Sequence, residues 1–209
     1  MNRSGLAAVA AVLLLAALPS PSRAQAGPEW GVKGGLNLSG LRGEGGLLDS
    51  KKGAVAGAFG VYDFAPEFGV EVDGLLTMKG AKVSGHGIDS NGNVVVINEG
   101  FIILDYLEFP ILARFNVPSQ GEVRTHIYAG PTLAFKLDAR AQYGSSNQDL
   151  TAARTLDSGL AFGASFDFLM AERKLVLDGR YGLGLTNAFD WPGVDLKNDA
   201  FSIMAGVTF

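Results

Sequence analysis

Few side chains in this sequence have the chemistry of a catalytic site. The chain contains two histidines and no cysteine, so a disulfide and a thiolate metal site are excluded. A catalytic nucleophile needs a base and an orienting group within reach, and the acidic pair Glu71 and Asp73 has no spacing typical of a hydrolase. His86 falls in a Gly/Ser-rich segment, read as a loop, and His126 falls on the polar face of a predicted strand. We expect His126 to have a structural role, and we predict no enzyme activity.

A calcium loop is the metal site that the sequence approaches most nearly. Asp89, Asn91 and Asn93 have the alternate spacing with which such a loop opens. The loop also needs a glutamate at its twelfth position, which here is Gly100, and Glu99 comes one residue too early. We therefore predict neither a bound metal ion nor another cofactor.

Charged residues recur on one face of the predicted strands, and their signs balance. Five cations oppose five anions, with His126 among them. An unpaired charge in a narrow, poorly solvated interior costs several kcal/mol, so this balance is typical of an interior in which charges pair. The predicted lumen charge network comprises Lys33, Glu71, Asp73, Glu108, Arg114, Arg124, His126, Lys136, Asp167, Asp178 and Arg180.

The elements that carry these residues have the period of β-strands. The 29 glycines are dispersed along the chain, which disfavours helices. Eight segments alternate apolar with polar or small residues: 30–38, 53–63, 68–78, 109–117, 127–137, 160–168, 175–185 and 201–209. Asp105 has the apolar parity at the start of the fourth strand, which indicates a bulge or a loop position. Pro110 and Pro131 lack an N–H donor within strands, so we expect a bulge at each.

The connections between these segments alternate between long and short. The long ones are 42–52, 84–100, 139–157 and 188–198, and the short ones are 63–67, 118–121 and 171–174. Membrane barrels have short periplasmic turns and longer extracellular loops. The pattern predicts an all-β fold, an eight-stranded antiparallel up-and-down transmembrane β-barrel with both chain ends in the periplasm.

The first residues have the layout of a signal peptide for export. Arg3 precedes an apolar run from Leu6 to Leu18, which a Pro-Ser-Pro sequence ends. The alternative is a membrane anchor, but the run is shorter than the roughly 20 residues that span a bilayer. We predict a signal peptide over 1–24 and a barrel domain over 25–209, with cleavage after Ala24 or after Ala26.

Alternation alone does not decide whether the apolar face meets lipid or encloses a core, because a soluble lipocalin-like barrel has the same pattern inverted. Here the polar face is mostly Gly, Ala, Ser and Thr, which suits the narrow interior of an eight-stranded barrel. We therefore predict a location in the outer membrane of a Gram-negative-type bacterium. The net charge of −4 and the absence of a basic run disfavour a nucleic-acid partner.

Four strand motifs of this sequence resemble those of one family of barrels. Residues 31–39 (GVKGGLNLS) and 105–112 (DYLEFPIL) resemble the opening strand and the Tyr-Leu-Glu-x-Pro strand of the PorT-like or porin-family outer membrane protein β-barrels. Residues 128–131 (YAGP) resemble its fifth strand, and 178–181 (DGRY) with 184–187 (GLTN) its seventh. The resemblance implies fold and location, and the word porin in the family's label is no evidence of transport.

These observations favour a structural or interaction barrel with a lumen filled by side chains and long extracellular loops. A narrow small-solute channel or transporter is the alternative, and a soluble periplasmic lipocalin-like binding barrel is the third. The expected partners are outer-membrane lipid, the barrel-assembly machinery and an unidentified extracellular or periplasmic protein. Phe209 ends an alternating strand, as is common in outer-membrane barrels, and we predict that it is the assembly signal.

Overall fold

A computed structural model describes residues 28–43, 46–47, 49–88, 94–118, 121–143, 146–170, 173–190, 193 and 195–209. The predicted signal peptide lies outside these residues. The described chain forms ten strands. They are β1 (Glu29–Gly43), β2 (Gly46–Leu47), β3 (Asp49–Asp63), β4 (Phe68–Ile88), β5 (Val94–Val117), β6 (Val123–Tyr143), β7 (Ser146–Asp149), β8 (Leu156–Met170), β9 (Arg173–Gly184) and β10 (Lys197–Thr208).

Eight of these strands close into one antiparallel barrel, as the sequence predicts. Their order is β1, β3, β4, β5, β6, β8, β9 and β10, each paired with the next. Closure comes from β10 and β1, which pair from Gly31–Thr208 to Arg42–Lys197. The short strands β2 and β7 fold back on β1 and β6.

The outer connections differ from the sequence prediction, because much of their length is strand. β4 continues to Ile88 and β5 starts at Val94, so most of the predicted loop 84–100 is an extended hairpin. His86, expected in a loop, pairs with Val96 in this ladder. Glycines remove the period-two side-chain signal from 84–88, whereas ladder hydrogen bonds need only the backbone. In the same way, β6 continues to Tyr143, and β7 pairs with its outer part.

The ladders are irregular at one of the three predicted bulges. The β5–β6 register shifts at Asp105, as its parity indicates. Pro110 and Pro131 are not bulges: the ladders resume on either side of both prolines without a shift in register. A proline removes one hydrogen-bond donor, but no residue is inserted, so the pleat is unchanged.

Apolar side chains cover the outside of the barrel. Leu36 is the most exposed of them, at 74%. This apolar belt includes Leu36, Leu38, Val72, Leu76, Met78, Phe109, Ile111, Ile127, Leu133, Phe135, Leu160, Phe162, Phe166, Leu175, Leu177, Phe201 and Ile203. Exposed aromatic residues Trp30, Tyr62, Phe64 and Phe68 mark the edge of the belt at the end with the short turns, as in an interfacial girdle. We call this end periplasmic and the opposite end outer, following the orientation that the sequence predicts.

The belt has the height of the hydrophobic layer of an outer membrane. On β5 it extends from Phe115, whose ring lies 5.4 Å from that of Phe68, to Asp105, a carboxylate at an outward-facing position. Ten residues of strand at about 3.3 Å each, tilted by roughly 40°, cover about 25 Å across the membrane. No helix in the described part of the chain is long and apolar enough to cross a membrane.

Candidate functional site

The centre of the lumen holds a cluster of buried charges, the central cluster, formed by Lys33, Glu71, Asp73, Asp178 and Arg180. Lys33 Nζ lies 2.7 Å from Glu71 Oε1 and 3.0 Å from a carboxylate oxygen of both Asp73 and Asp178. Arg180 contacts the same three carboxylates, at 2.6 Å to Asp73, 3.1 Å to Asp178 and 3.4 Å to Glu71. All five side chains are at least 90% buried. The cluster joins three non-adjacent strands, so it fills the barrel from wall to wall.

Glycines beside Lys33 make room for this cluster. Lys33 pairs with Gly57 on β3 and with Gly206 on β10. A Cβ atom at Gly206 would lie 2.8 Å from the Cβ of Lys33, closer than side chains approach. Two inward positions without side chains therefore let the lysine cross the interior to carboxylates on β4 and β9.

A second group of charges lies on the periplasmic side of the central cluster. Arg114 Nη2 lies 3.2 Å from Asp167 Oδ2, and Arg114 Nη1 lies 3.9 Å from Glu71 Oε2. His126 Nε2 lies 3.1 Å from Asp167 Oδ2, and His126 Nδ1 lies 2.8 Å from Asn116 Oδ1. Arg114 thus links this group to the central cluster through Glu71.

His126 has no geometry for general-base catalysis. Both of its ring nitrogens are engaged, by Asp167 and Asn116. Ser165 is its cross-strand partner, but the Ser165 hydroxyl is buried without a hydrogen bond among the described residues. The serine and the imidazole therefore do not form the hydrogen-bonded pair of an activated nucleophile.

A third ion pair lies toward the outer end, and the sequence prediction missed one of its members. Lys79 Nζ lies 2.9 Å from Glu108 Oε1, and Thr77 Oγ1 donates to Glu108 Oε2 at 2.9 Å. Lys79 has the same inward parity as Glu71 and Asp73, which is the signal that could have identified it. Two cavities of about 10 and 20 Å³ adjoin this pair, each with room for about one water molecule.

Two residues of the predicted network lie outside it. Arg124 has the inward parity but is exposed, because it is the second residue of β6 and lies at the open periplasmic mouth. Lys136 is half-buried, and its ammonium group donates to the backbone carbonyl of Ala153. It therefore ties a loop to the barrel wall and does not pair with a lumen carboxylate.

An apolar outer cap closes the lumen above these charges. Its wall residues are Leu41, Ala81, Ile102, Leu104, Tyr106, Ala134 and Ala139, and its loop residues are Ala153, Ala188 and Phe189. The loops are fixed to each other by a bridge between Ala153 and Phe189 and by a 2.9 Å hydrogen bond from Arg154 N to Ala188 O. Phe189 is 1% exposed, so the outer mouth is packed shut.

A polar floor separates the cap from the lumen charges. Asn198 Nδ2 donates to Tyr106 Oη at 3.1 Å and to Asp157 Oδ2 at 2.7 Å. Thr186, just beyond β9, donates to Asp157 Oδ1 at 2.7 Å. Side chains from β5, β8 and β10 thus meet across the lumen.

Family and structural comparisons agree with this architecture. Residues 22–190 match the model of the outer membrane protein beta-barrel domain, and the described barrel has the outward apolar belt that such a domain requires. The chain belongs to this family. Family membership and the outward belt place the protein in the outer membrane and exclude a soluble lipocalin-like barrel. No curated protein sequence matches the chain.

Solved barrels are similar to this family member at low sequence identity. The structure of Neisserial surface protein A matches with a TM-score of 0.51 and 16% identity over 87% of this chain and 97% of that one. Ail, the attachment invasion locus protein of Yersinia pestis, matches with a TM-score of 0.46 and 17% identity over 87% and 98%. OprG of Pseudomonas aeruginosa matches with 0.47 and 14% over 88% and 97%.

The described residues offer no metal site. None of their His, Asp and Glu side chains form a group of three or more that could hold a metal ion. The calcium-like residues Asp89, Asn91 and Asn93 lie outside the described residues.

Proposed function

We propose that this outer-membrane barrel is a closed, non-conducting structural protein whose outer hairpins bind a partner. The observation that supports a closed lumen most strongly is the central cluster, in which Lys33 and Arg180 cross the interior to three carboxylates. The outer cap also closes the lumen, at the outer mouth of the barrel. We also propose that the chain has no catalytic role, since both nitrogens of its one described lumen histidine, His126, are engaged.

The lumen charge network acts as a brace between strands that do not pair with each other. Lys33 on β1 joins Glu71 and Asp73 on β4 and Asp178 on β9. Ionic hydrogen bonds between side chains are stronger than neutral ones, and here they are shielded from water. The barrel is therefore held rigid from within, which suits a platform for external loops.

Conductance tests the closed lumen. Purified protein is incorporated into planar bilayers, and its folded state is verified by heat-modifiable gel mobility. We expect no stable single-channel steps, because the cavities in the lumen hold about one water molecule each. Reproducible steps would contradict the closed lumen and support the alternative function, a narrow channel beside Lys79 and Glu108.

The β4–β5 hairpin is the first candidate for partner binding. Its two strands pair with each other beyond Lys82 and Phe101, as far as Ile88 and Val94. The described residues of the neighbouring strands β3 and β6 pair with the hairpin only as far as Lys82 and Gly100. Because Gly85 and Ile97 are register partners, residues 86–96 can be replaced by a two-residue Asn-Gly turn without altering the barrel.

A pull-down compares this trimmed chain with the intact one and with a control in which β7 is shortened. We expect the hairpin-trimmed chain alone to lose an envelope protein that the other two retain. Recovery of the same proteins by all three chains would contradict the proposed binding role of the hairpin.

We also propose that the chain belongs to the PorT-like branch of the family. We further propose that the assembly machinery recognises Phe209. The branch rests on the strand motifs at 31–39, 105–112, 128–131 and 178–187. A sequence model built from PorT-like barrels alone should align all four motifs in order, and failure to do so would contradict the assignment. For Phe209, its backbone N–H donates to Trp30 O at 2.9 Å, so Phe209 lies at the seam between β10 and β1 that closes the barrel.

A further inference from the structure

The outer rim of the barrel is unevenly charged. Three outward cations lie at this rim on β10, β1 and β3. Lys197 and Arg42 lie four residues beyond the apolar belt residues Phe201 and Leu38, and Lys52 is level with Leu38. We call these three cations the basic rim.

Two members of the basic rim form an unfavourable pair unless an anion lies between them. Arg42 and Lys197 are direct cross-strand partners, and both have the outward parity of their strands. Side chains in this relation have Cβ atoms about 5 Å apart, and like charges there are destabilising. Lys52 adds a third cation, opposite Leu38 on the next strand.

The acidic groups near the basic rim are already engaged. Arg42 Nε lies 2.9 Å from Asp199 Oδ2, and Asp199 also accepts from the Tyr181 hydroxyl at 3.2 Å and from Gly184 N at 3.3 Å. Asp195 accepts from the Asn187 amide at 2.5 Å. Among the described residues, no carboxylate lies within ion-pair distance of Lys197 or Lys52, so the rim keeps a net positive charge.

Two other outward cations at this end of the barrel, Arg140 and Arg154, have acidic partners. Arg140 Nη1 lies 2.9 Å from Asp138 Oδ2, and Arg154 Nε lies 2.6 Å from Asp190 Oδ1. The positive charge of Arg140 and Arg154 is therefore balanced locally, unlike that of the basic rim. Its position decides which ligand it meets, since it directly adjoins lipid-facing Leu38 and Phe201 at the level of the outer-leaflet headgroups.

We propose that the basic rim binds the phosphate group of an anionic lipid of the outer leaflet, with Arg42 and Lys197 on the phosphate and Lys52 beside it. Arg42 uses Nε and Nη2 for Asp199 and Gly184, which leaves Nη1 for the ligand. The lipid's acyl chains then lie along Leu36, Leu38, Phe201 and Ile203. The phosphate relieves the repulsion between the two opposed cations.

Native mass spectrometry of the full-length barrel with phosphatidylglycerol and phosphatidylcholine in equal amounts tests the site. We expect the wild type to retain phosphatidylglycerol preferentially. In the double variant Lys52→Gln/Lys197→Gln, the preference for phosphatidylglycerol should fall about fivefold for each lysine that is replaced. The matched control, Arg124→Gln/Arg154→Gln, removes two cations outside the basic rim and should keep the preference.

Each result decides for or against the basic rim. A double variant with unchanged preference, or a control that loses it equally, overturns the site. Inorganic phosphate at millimolar concentration is added as a competitor: if it displaces the lipid completely, free phosphate is the ligand and the lipid proposal fails. If the double variant lacks heat-modifiable mobility, the two single variants are measured instead. Each should lower the preference for phosphatidylglycerol about fivefold.

Discussion

Removal of the Lys33 ammonium group tests whether the central cluster stabilises the barrel. In Lys33→Met, three buried carboxylates keep Arg180 but lose a cation that lies 2.7 to 3.0 Å from each of them. Breaking a buried ion pair by removing one partner costs about 3–5 kcal/mol. Met matches the length of the lysine stem, so the cost comes from the lost charge rather than from a cavity. We expect the free energy of unfolding to fall by about 3–5 kcal/mol.

The measurement is urea unfolding of the protein in phospholipid vesicles, followed by tryptophan fluorescence and gel mobility. Arg124→Met is the control, because it removes a cation of the same face that is exposed, and its effect should stay within about 0.5 kcal/mol. Adding Glu71→Gln to Lys33→Met should recover about 1–2 kcal/mol, since one uncompensated carboxylate is then neutral. Equal losses in Lys33→Met and Arg124→Met, or no loss in either, would refute the reasoning.

Three further predictions concern the belt, the chain end and the orientation. Leu36→Arg, near the middle of the belt, should lower stability by about 2–4 kcal/mol, and Leu185→Arg at the outer end by at most about 1 kcal/mol; equal urea midpoints for both would contradict the membrane depth of Leu36. Phe209→Ala should reduce the yield of folded barrel in cells while leaving unfolding of the purified protein within about 1 kcal/mol of wild type, as assayed by gel mobility; normal assembly in cells would contradict a signal at Phe209. A cysteine at Asp149 should react with a membrane-impermeant maleimide on intact cells, and one at Glu67 only after lysis; the reverse result would invert the barrel.

The amino-acid sequence by itself determined the barrel, because its evidence is local. The alternation of apolar and polar side chains indicates which face of a strand is apolar, and the short turns identify one end of the barrel. The alternation indicates the lipid-facing side in the transmembrane segments other than 53–63, where the large apolar side chains Val55, Phe59 and Val61 are buried inside the barrel and small residues face outward. The alternation fails above the membrane, where the glycines at 85 and 87 interrupt it, and there the sequence prediction ended β4 too early.

Only the tertiary structure decided how the lumen is filled. Parity predicts that Lys33, Arg124 and Lys136 all face inward, but depth along the barrel axis separates them: Lys33 is enclosed, Arg124 reaches solvent, and Lys136 meets a loop carbonyl. Lys79 also faces inward, and its position along the barrel axis places it beside Glu108. The outer cap depends on loop residues such as Phe189, whose burial comes from contacts with distant strands and has no signature in local sequence.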